Sequence, residues 1–226
     1  MGTEILRPTN SETINPSERF TLVPLRELDL ENEGDMDDYF QLLTHTNNIE
    51  HFGNPPLDAK DLKRKLLRDR THAYIAENKL GEIVGAGGIN DAAEGEHDHF
   101  LVKVVVDPNL QTKPDDPSTH GRHVGKQLIV QLIDKAFSTK ASDGRTRFKV
   151  DAAIIEGVPG WERMPYILES LGFHFRSRLP GQVDVYDPRL QRTIRRPTFR
   201  WEIEREEWMR SRRRTDIRNI LQQKPQ

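Results

Sequence analysis

Apolar and polar positions along the chain switch between a period of about two and a period of about 3.6, and the switches mark out its elements. "FTLVPLREL" (20–28) has strand spacing. "DMDDYFQLLTH" (35–45) opens with acids and sets Met36, Tyr39, Phe40 and Leu43 at helical spacing, as a helix N-terminus favours. "DAKDLKRKLLRDR" (58–70), after Pro55 and Pro56, predicts a second helix. In "THAYIAENKLGEIVGAGGIND" (71–91) two strand-like runs flank the polar turn "NKLG", which predicts a β-hairpin. "HFLVKVVVDP" (99–108) is nearly continuous in its apolarity and suits a central strand covered on both faces.

A polar loop, "QTKPDDPST" (111–119), leads into a helix with Val124, Leu128, Ile129, Leu132, Ile133 and Ala136 on one face. "RFKVDAAIIE" (147–156) predicts another buried strand, and "GWERMPYILESLG" (160–172) a short helix stopped by Gly172. "FHFRSR" (173–178) begins a strand, and "QVDVYD" (182–187) and "TFRWEIERE" (198–206) alternate as further strands. Strands interleaved with helices predict an α/β (α+β) fold, a sheet covered by helices. Residues 1–17 lack periodicity and read as an irregular N-terminal arm, 18–205 as one domain, and 206–226 as a charged C-terminal helix or tail.

Composition narrows the functions open to this fold. The 226 residues contain no cysteine, which excludes disulfides, thiolate metal sites and a cysteine nucleophile. The longest apolar runs, such as Leu101–Val106, fall far short of the ~18 residues of a membrane helix, and "MGTEILRPTN" lacks the layout of a secretory signal. We therefore expect a cytoplasmic protein that does not engage a membrane. A net charge of −2 gives no overall attraction to nucleic acid. Eleven arginines do follow from Arg189 onward, but Glu202, Glu204, Glu206 and Glu207 dilute them and few aromatics accompany them. The tail is expected to be a solvated terminal helix, or one docked on a second copy through Trp208, Ile217, Ile220 and Leu221, which leaves a homodimer open.

The candidate chemistry begins in "STHGRHVGKQLIVQLIDKAF" (118–137). A turn that feeds a helix presents unpaired backbone N–H groups and the positive end of the helix dipole, a combination that holds anions. Gly121 and Gly125 allow close approach to a phosphate, and Lys126 adds a charge. The P-loop pattern does not fit, because only three residues separate these glycines and Gln127 follows the lysine. A dinucleotide fingerprint fails as well, for want of G-x-G before the helix.

The succession "VKVVVDPNLQ…HGRHVGKQLIVQLIDKAF", then "VDAAII", then "YILESLGF", resembles the GNAT superfamily of acyl-CoA-dependent N-acetyltransferases over roughly Phe20 to Phe175. The resemblance implies the GNAT fold, a mixed central sheet of about six to seven strands flanked by helices, with acetyl-CoA as co-substrate and a small-molecule or peptide amine as acceptor. It implies a cofactor site at His120, Gly121, Arg122, His123, Val124, Gly125 and Lys126, with His120 in the place of the family's Gln/Arg and His123 in that of its first glycine. Val104, Val105 and Val106 would hold the pantetheine arm through their backbone groups. Thr112 to Thr119 look inserted, which makes Gln111 an alternative first motif residue.

Direct transfer needs a neutral amine and a proton for the departing thiolate. The family's usual tyrosine position is Leu168 here, which leaves Tyr166, about 200° around the helix, as the candidate acid. His99, in "EHDHF", and Glu156, at the end of the following strand, are the candidate bases. His97 and His99 form a His-x-His pair, but two ligands without a third do not make a metal site, so no metal is expected. The expected protein is an N-acetyltransferase acting on a primary amine. The alternative is a catalytically inactive GNAT-fold module that binds acetyl-CoA or a protein.

Overall fold

The computed structural model describes residues 20–24, 33–45, 56–68, 72–78, 81–90, 98–106, 124–141, 144–158, 160–187 and 189–212. Its elements are β1 (Thr21–Pro24), α1 (Glu33–Thr44), α2 (Ala59–Arg68), β2 (His72–Glu77), β3 (Ile83–Asn90), β4 (Asp98–Val106), α3 (Val124–Ser138), β5 (Lys149–Ile155), α4 (Met164–Ser170), β6 (His174–Asp187) and β7 (Arg192–Glu204), followed by α5 (205–212). Seven strands form one sheet in the order β1-β2-β3-β4-β5-β7-β6. Every adjacent pair is antiparallel except β4 and β5.

Alternation along the strands creates two cores, one on each face. Tyr74, Ala76, Val150, Ala152, Ile154, Trp201 and Ile203 point to one side and pack with Leu128, Leu132 and Ile133 of α3 and Leu168 of α4. Ala73, Ile75 and Ala86 point to the other and meet Tyr39, Leu42 and Leu43 of α1 and Leu62 of α2. Burial in that second core pushes the Tyr39 phenol well above its ordinary pKa. Local signals set the ends of these elements. Asp58 Oδ1 accepts from the Asp61 amide at 2.6 Å and caps α2. The predicted β2–β3 hairpin forms, with the Glu82 amide donating to Asn78 Oδ1 at 3.0 Å in its turn.

Two features depart from the strand-by-strand reading. "FHFRSR" and "QVDVYD" belong to a single strand, β6, because β7 pairs with both sides of an irregular stretch between Leu179 and Val183. The bulge absorbs Pro180, which cannot donate to a ladder, opposite Pro197 on β7. Trp208 faces the core of its own domain, where it is 1% exposed, rather than a surface left for docking.

Candidate active site

β4 and β5 pair in parallel only from Asp98–Lys149 to Leu101–Ala152, although β4 continues to Val106 and β5 to Ile155. The cause lies on the opposite edge of β4. Between the pairs Ile89–Leu101 and Gly88–Lys103 one residue, Val102, is extra, and such a bulge bends and twists its strand. Beyond it β4 stays with β3 as far as Gly85–Val106, while β5 stays with β7 through Ala153–Arg200, Ile154–Phe199 and Ile155–Thr198. The two strands diverge and a wedge opens toward their C-terminal ends. Ala153, the first β5 residue past the last β4 partner, is exposed although it sits in the interior of a seven-stranded sheet. A strand edge in such a wedge offers backbone donors and acceptors to an extended ligand, as sheet edges do to added strands.

The helix that follows β4 returns to the mouth of this wedge. A Cβ placed on Gly125, in the first turn of α3, would lie 3.5 Å from Val106 Cγ2 at the end of β4. Val124, Gly125 and Lys126 are half-buried there, so the positive end of the α3 dipole is presented beside the splayed strand. The helix begins where the sequence pattern put it. His120, Gly121, Arg122 and His123, together with Gln111 and the Thr112–Thr119 insert, lie outside the described residues.

The structure does not gather the three proton-transfer candidates. His99 lies in the paired half of β4, opposite Val150, and its side chain is outside the described residues. Glu156 follows β5 directly, about 20 Å of strand away at 3.3 Å per residue. Its amide donates to the Pro197 carbonyl at 2.9 Å. Arg178 binds its Oε2 through Nε at 3.2 Å and Nη2 at 2.7 Å, and the guanidinium also lies 5.7 Å from the centroid of the Phe199 ring. On α4, Tyr166 is 74% exposed and Leu168 is 1% exposed, the opposed directions that two residues of helical rotation require. Val104 and Val106 are half-buried on the splayed part of β4, and Val105 pairs with Ala86 there.

Sequence reading missed the polar pair at the crotch of the wedge. Asp151 is fully buried and accepts from Arg200 Nη2 at 2.6 Å, on the sheet face away from α3. One acid within the apolar run "KVDAAII" was the available signal. A carboxylate at such a position has to be compensated, and the cross-strand neighbourhood of β7 supplies the compensation. Thr198, also buried, shares that face.

Residues 36–148, half of the chain, match the Acetyltransferase (GNAT) family. The chain belongs to that family. It is an acyltransferase whose co-substrate is acetyl-CoA. The wedge and the α3 head fit that co-substrate: one would take an extended thioester arm, the other its pyrophosphate. No curated protein matches the sequence. Among solved structures, spermidine N-acetyltransferase from Vibrio cholerae in complex with CoA and spermine superposes with a TM-score of 0.58 at 13% identity, over 84% of this chain and 98% of that one. The spermidine/spermine N-acetyltransferase of the same organism in complex with manganese ions gives 0.57 at 14% identity, over 87% and 98%. A chimera of the Vibrio cholerae enzyme with hSSAT gives 0.61 at 13%, over 84% and 98%. At these identities the likeness is one of fold. No helix among the described residues is long and apolar enough to cross a membrane.

Proposed function

We propose that the protein transfers an acetyl group directly from acetyl-CoA to a primary amine, with the thioester lying in the β4–β5 wedge. The observation that carries this reading is the early end of the β4–β5 ladder at Leu101–Ala152, with α3 starting beside Val106. The co-substrate supplies an activated acyl group, and the chain's task is to place it and to move protons around it. Backbone groups of β4 past Val102 align the pantetheine arm and polarise the carbonyl, an oxyanion-hole effect worth ~10²- to 10³-fold in rate. Residues His120 to Lys126 grip the pyrophosphate. His99 and Glu156 are the candidate bases for the amine, and Arg178 holds the Glu156 carboxylate at 2.7 Å. Tyr166 is the phenol available on α4 for the thiolate, and its exposure leaves its hydroxyl free to move.

The acceptor approaches the exposed Ala153 floor. Polyamines, the substrates named for the structural neighbours, are the reference acceptors against which others are compared. We propose that the domain the sequence suggested at 18–205 also takes in α5, whose Trp208 sits in its core. Calorimetry with acetyl-CoA, followed by a thiol-release assay over an amine panel that includes spermidine, tests the proposal. Binding with turnover on at least one amine is expected, and failure to bind acetyl-CoA refutes it. The buried Leu168 favours a second reading, a module that binds acetyl-CoA without catalysis, and binding without turnover on every amine would select that one.

A further inference from the structure

The chain of β7 does not stop at the wedge. It runs antiparallel to β5 and pairs Thr198 with Ile155; the Pro197 carbonyl then takes the Glu156 amide, so that Arg196 comes next, beside Gly157 and past the end of β5. Gly157 has φ +79°, which favours glycine, and the Arg196 guanidinium lies over it, with Nη1 where a Cβ would stand. From this point the β6–β7 hairpin extends past the C-terminal end of β5. Its register sets Val183 opposite Arg196 and Val185 opposite Ile194, and Val185 is 1% exposed, so the arm is packed inward on the side that carries Arg196.

Arg196 differs from the other arginines at this end of the sheet. Arg178 and Arg200 each hold a carboxylate oxygen at hydrogen-bond distance, 2.7 Å and 2.6 Å. The acid beside Arg196 is Asp187, whose Oδ2 stands 3.7 Å from Nη2, outside hydrogen-bond range, while its Oδ1 takes the amides of Arg189 and Leu190 in the hairpin turn. Arg196 Nε, like that of Arg200, is buried without a hydrogen-bond partner among the described residues, but Arg196 has no carboxylate at hydrogen-bond distance, and its side chain keeps 28% of its exposure. A partly desolvated guanidinium with donors to spare is a site for a carboxylate or phosphate, whose oxygens match its planar fork.

The face decides which molecule brings that anion. Strand alternation puts Arg196 with Thr198 and Arg200, away from the face where Val150, Ala152, Ile154, Trp201 and Ile203 pack with α3. The phosphates of the co-substrate belong to the α3 side. We propose that the acceptor carries an anionic group besides its amine, a carboxylate or a phosphate, and that Arg196 receives it at the wedge mouth. This rests on the reading of the wedge as the acyl-transfer site.

The test compares β-alanine and O-phosphoethanolamine with propylamine, which lacks the anion, and with spermidine, using thiol release and calorimetric binding to the CoA-saturated full chain. An anionic amine is expected to exceed propylamine by about tenfold or more in kcat/KM, the worth of a charge-assisted hydrogen bond. Arg196→Gln removes that preference, Arg196→Lys restores part of it, and acetyl-CoA affinity is unchanged in both. The ranking of the two anionic amines tells carboxylate from phosphate. Preference for spermidine or propylamine, a preference that survives Arg196→Gln, or no binding of either anionic amine to the CoA-loaded protein overturns the proposal while the transfer reading stands. Loss of acetyl-CoA binding itself overturns both. If the glutamine variant does not fold, by circular dichroism, the wild-type comparison of β-alanine and O-phosphoethanolamine with propylamine still decides.

Discussion

Asp134 on α3 accepts the indole N–H of Trp208 at 2.8 Å. Its second oxygen takes Arg212 Nη2 at 2.9 Å, and that guanidinium lies 5.7 Å from the Trp208 ring centroid. One acid thus fastens α5 to the helix whose far end heads the wedge, and the indole itself belongs to the large core. Trp208→Ala is expected to destabilise the domain by about 3–5 kcal/mol, and Trp208→Phe, which keeps most of the packing and loses the hydrogen bond, by only about 1 kcal/mol. Urea melts of the two variants measure this. Equal stability of wild type and Trp208→Ala would mean that α5 is dispensable.

The C-terminal helix shows where the sequence was readable and where it was not. Periodicity located "TFRWEIERE" as a strand and charge density located the helix after it, because both are local properties. Whether Trp208 faces its own core or a partner depends on Asp134, more than seventy residues earlier, and no local pattern encodes that distance. The wedge divides in the same way. The β-branched run of β4 and the amphipathic face of α3 were legible, as was the glycine in the first turn of α3 beside Val106. The early end of the ladder, the burial of Asp151 and the place of Arg196 past the end of β5 arise from register between distant strands, which a single sequence does not display.

Arg147 closes the other end of α3. Buried at 1% exposure, it donates through Nη1 to the carbonyls of Ala136 and Thr139, both at 3.2 Å, and to Thr139 Oγ1 at 2.6 Å, so it supplies donors that a helix C-terminus lacks and a charge its dipole favours. Arg147→Met keeps much of the volume and strands those carbonyls. A loss of about 1–3 kcal/mol is expected in denaturant melts, and an unchanged midpoint would show that the cap contributes nothing.

The Asp151–Arg200 pair predicts an asymmetry. Asp151→Asn leaves Arg200 beside a neutral amide in a desolvated crotch and is expected to destabilise by about 3–5 kcal/mol, the usual cost of breaking a buried pair from one side. Asp151→Leu combined with Arg200→Leu removes both charges and should recover a large part of that loss. A double variant no more stable than the single would show that the ion pair itself holds the base of the wedge together.

At Gly125 stability and binding are expected to move in opposite directions. A methyl there meets Val106 Cγ2 at 3.5 Å, an ordinary contact, so Gly125→Ala fits the fold and gains helix propensity, raising stability by up to about 1 kcal/mol. The same methyl stands where the phosphate approaches the α3 amides, and acetyl-CoA affinity is expected to fall about tenfold, or about 1.4 kcal/mol. Melting and calorimetry on one preparation measure both. Unaltered affinity would move the pyrophosphate away from this helix.

Tyr39 gives the second core a pH dependence whose sign follows from its burial. The folded phenol sits at 5% exposure with Leu42, Leu43 and Ile75, and desolvation raises its pKa well above the value of about 10 that it has in the unfolded chain. Below pH ~10 both states keep the proton and the contribution to stability is complete. Above it the unfolded chain releases the proton while the folded one retains it, so stability falls by up to about 1.4 kcal/mol per pH unit from this residue alone. Tyr39→Phe removes the term, and its urea stability measured at pH 9 and pH 11 should decline less steeply than that of the wild type. Parallel declines would place the Tyr39 hydroxyl in contact with water instead of in the core.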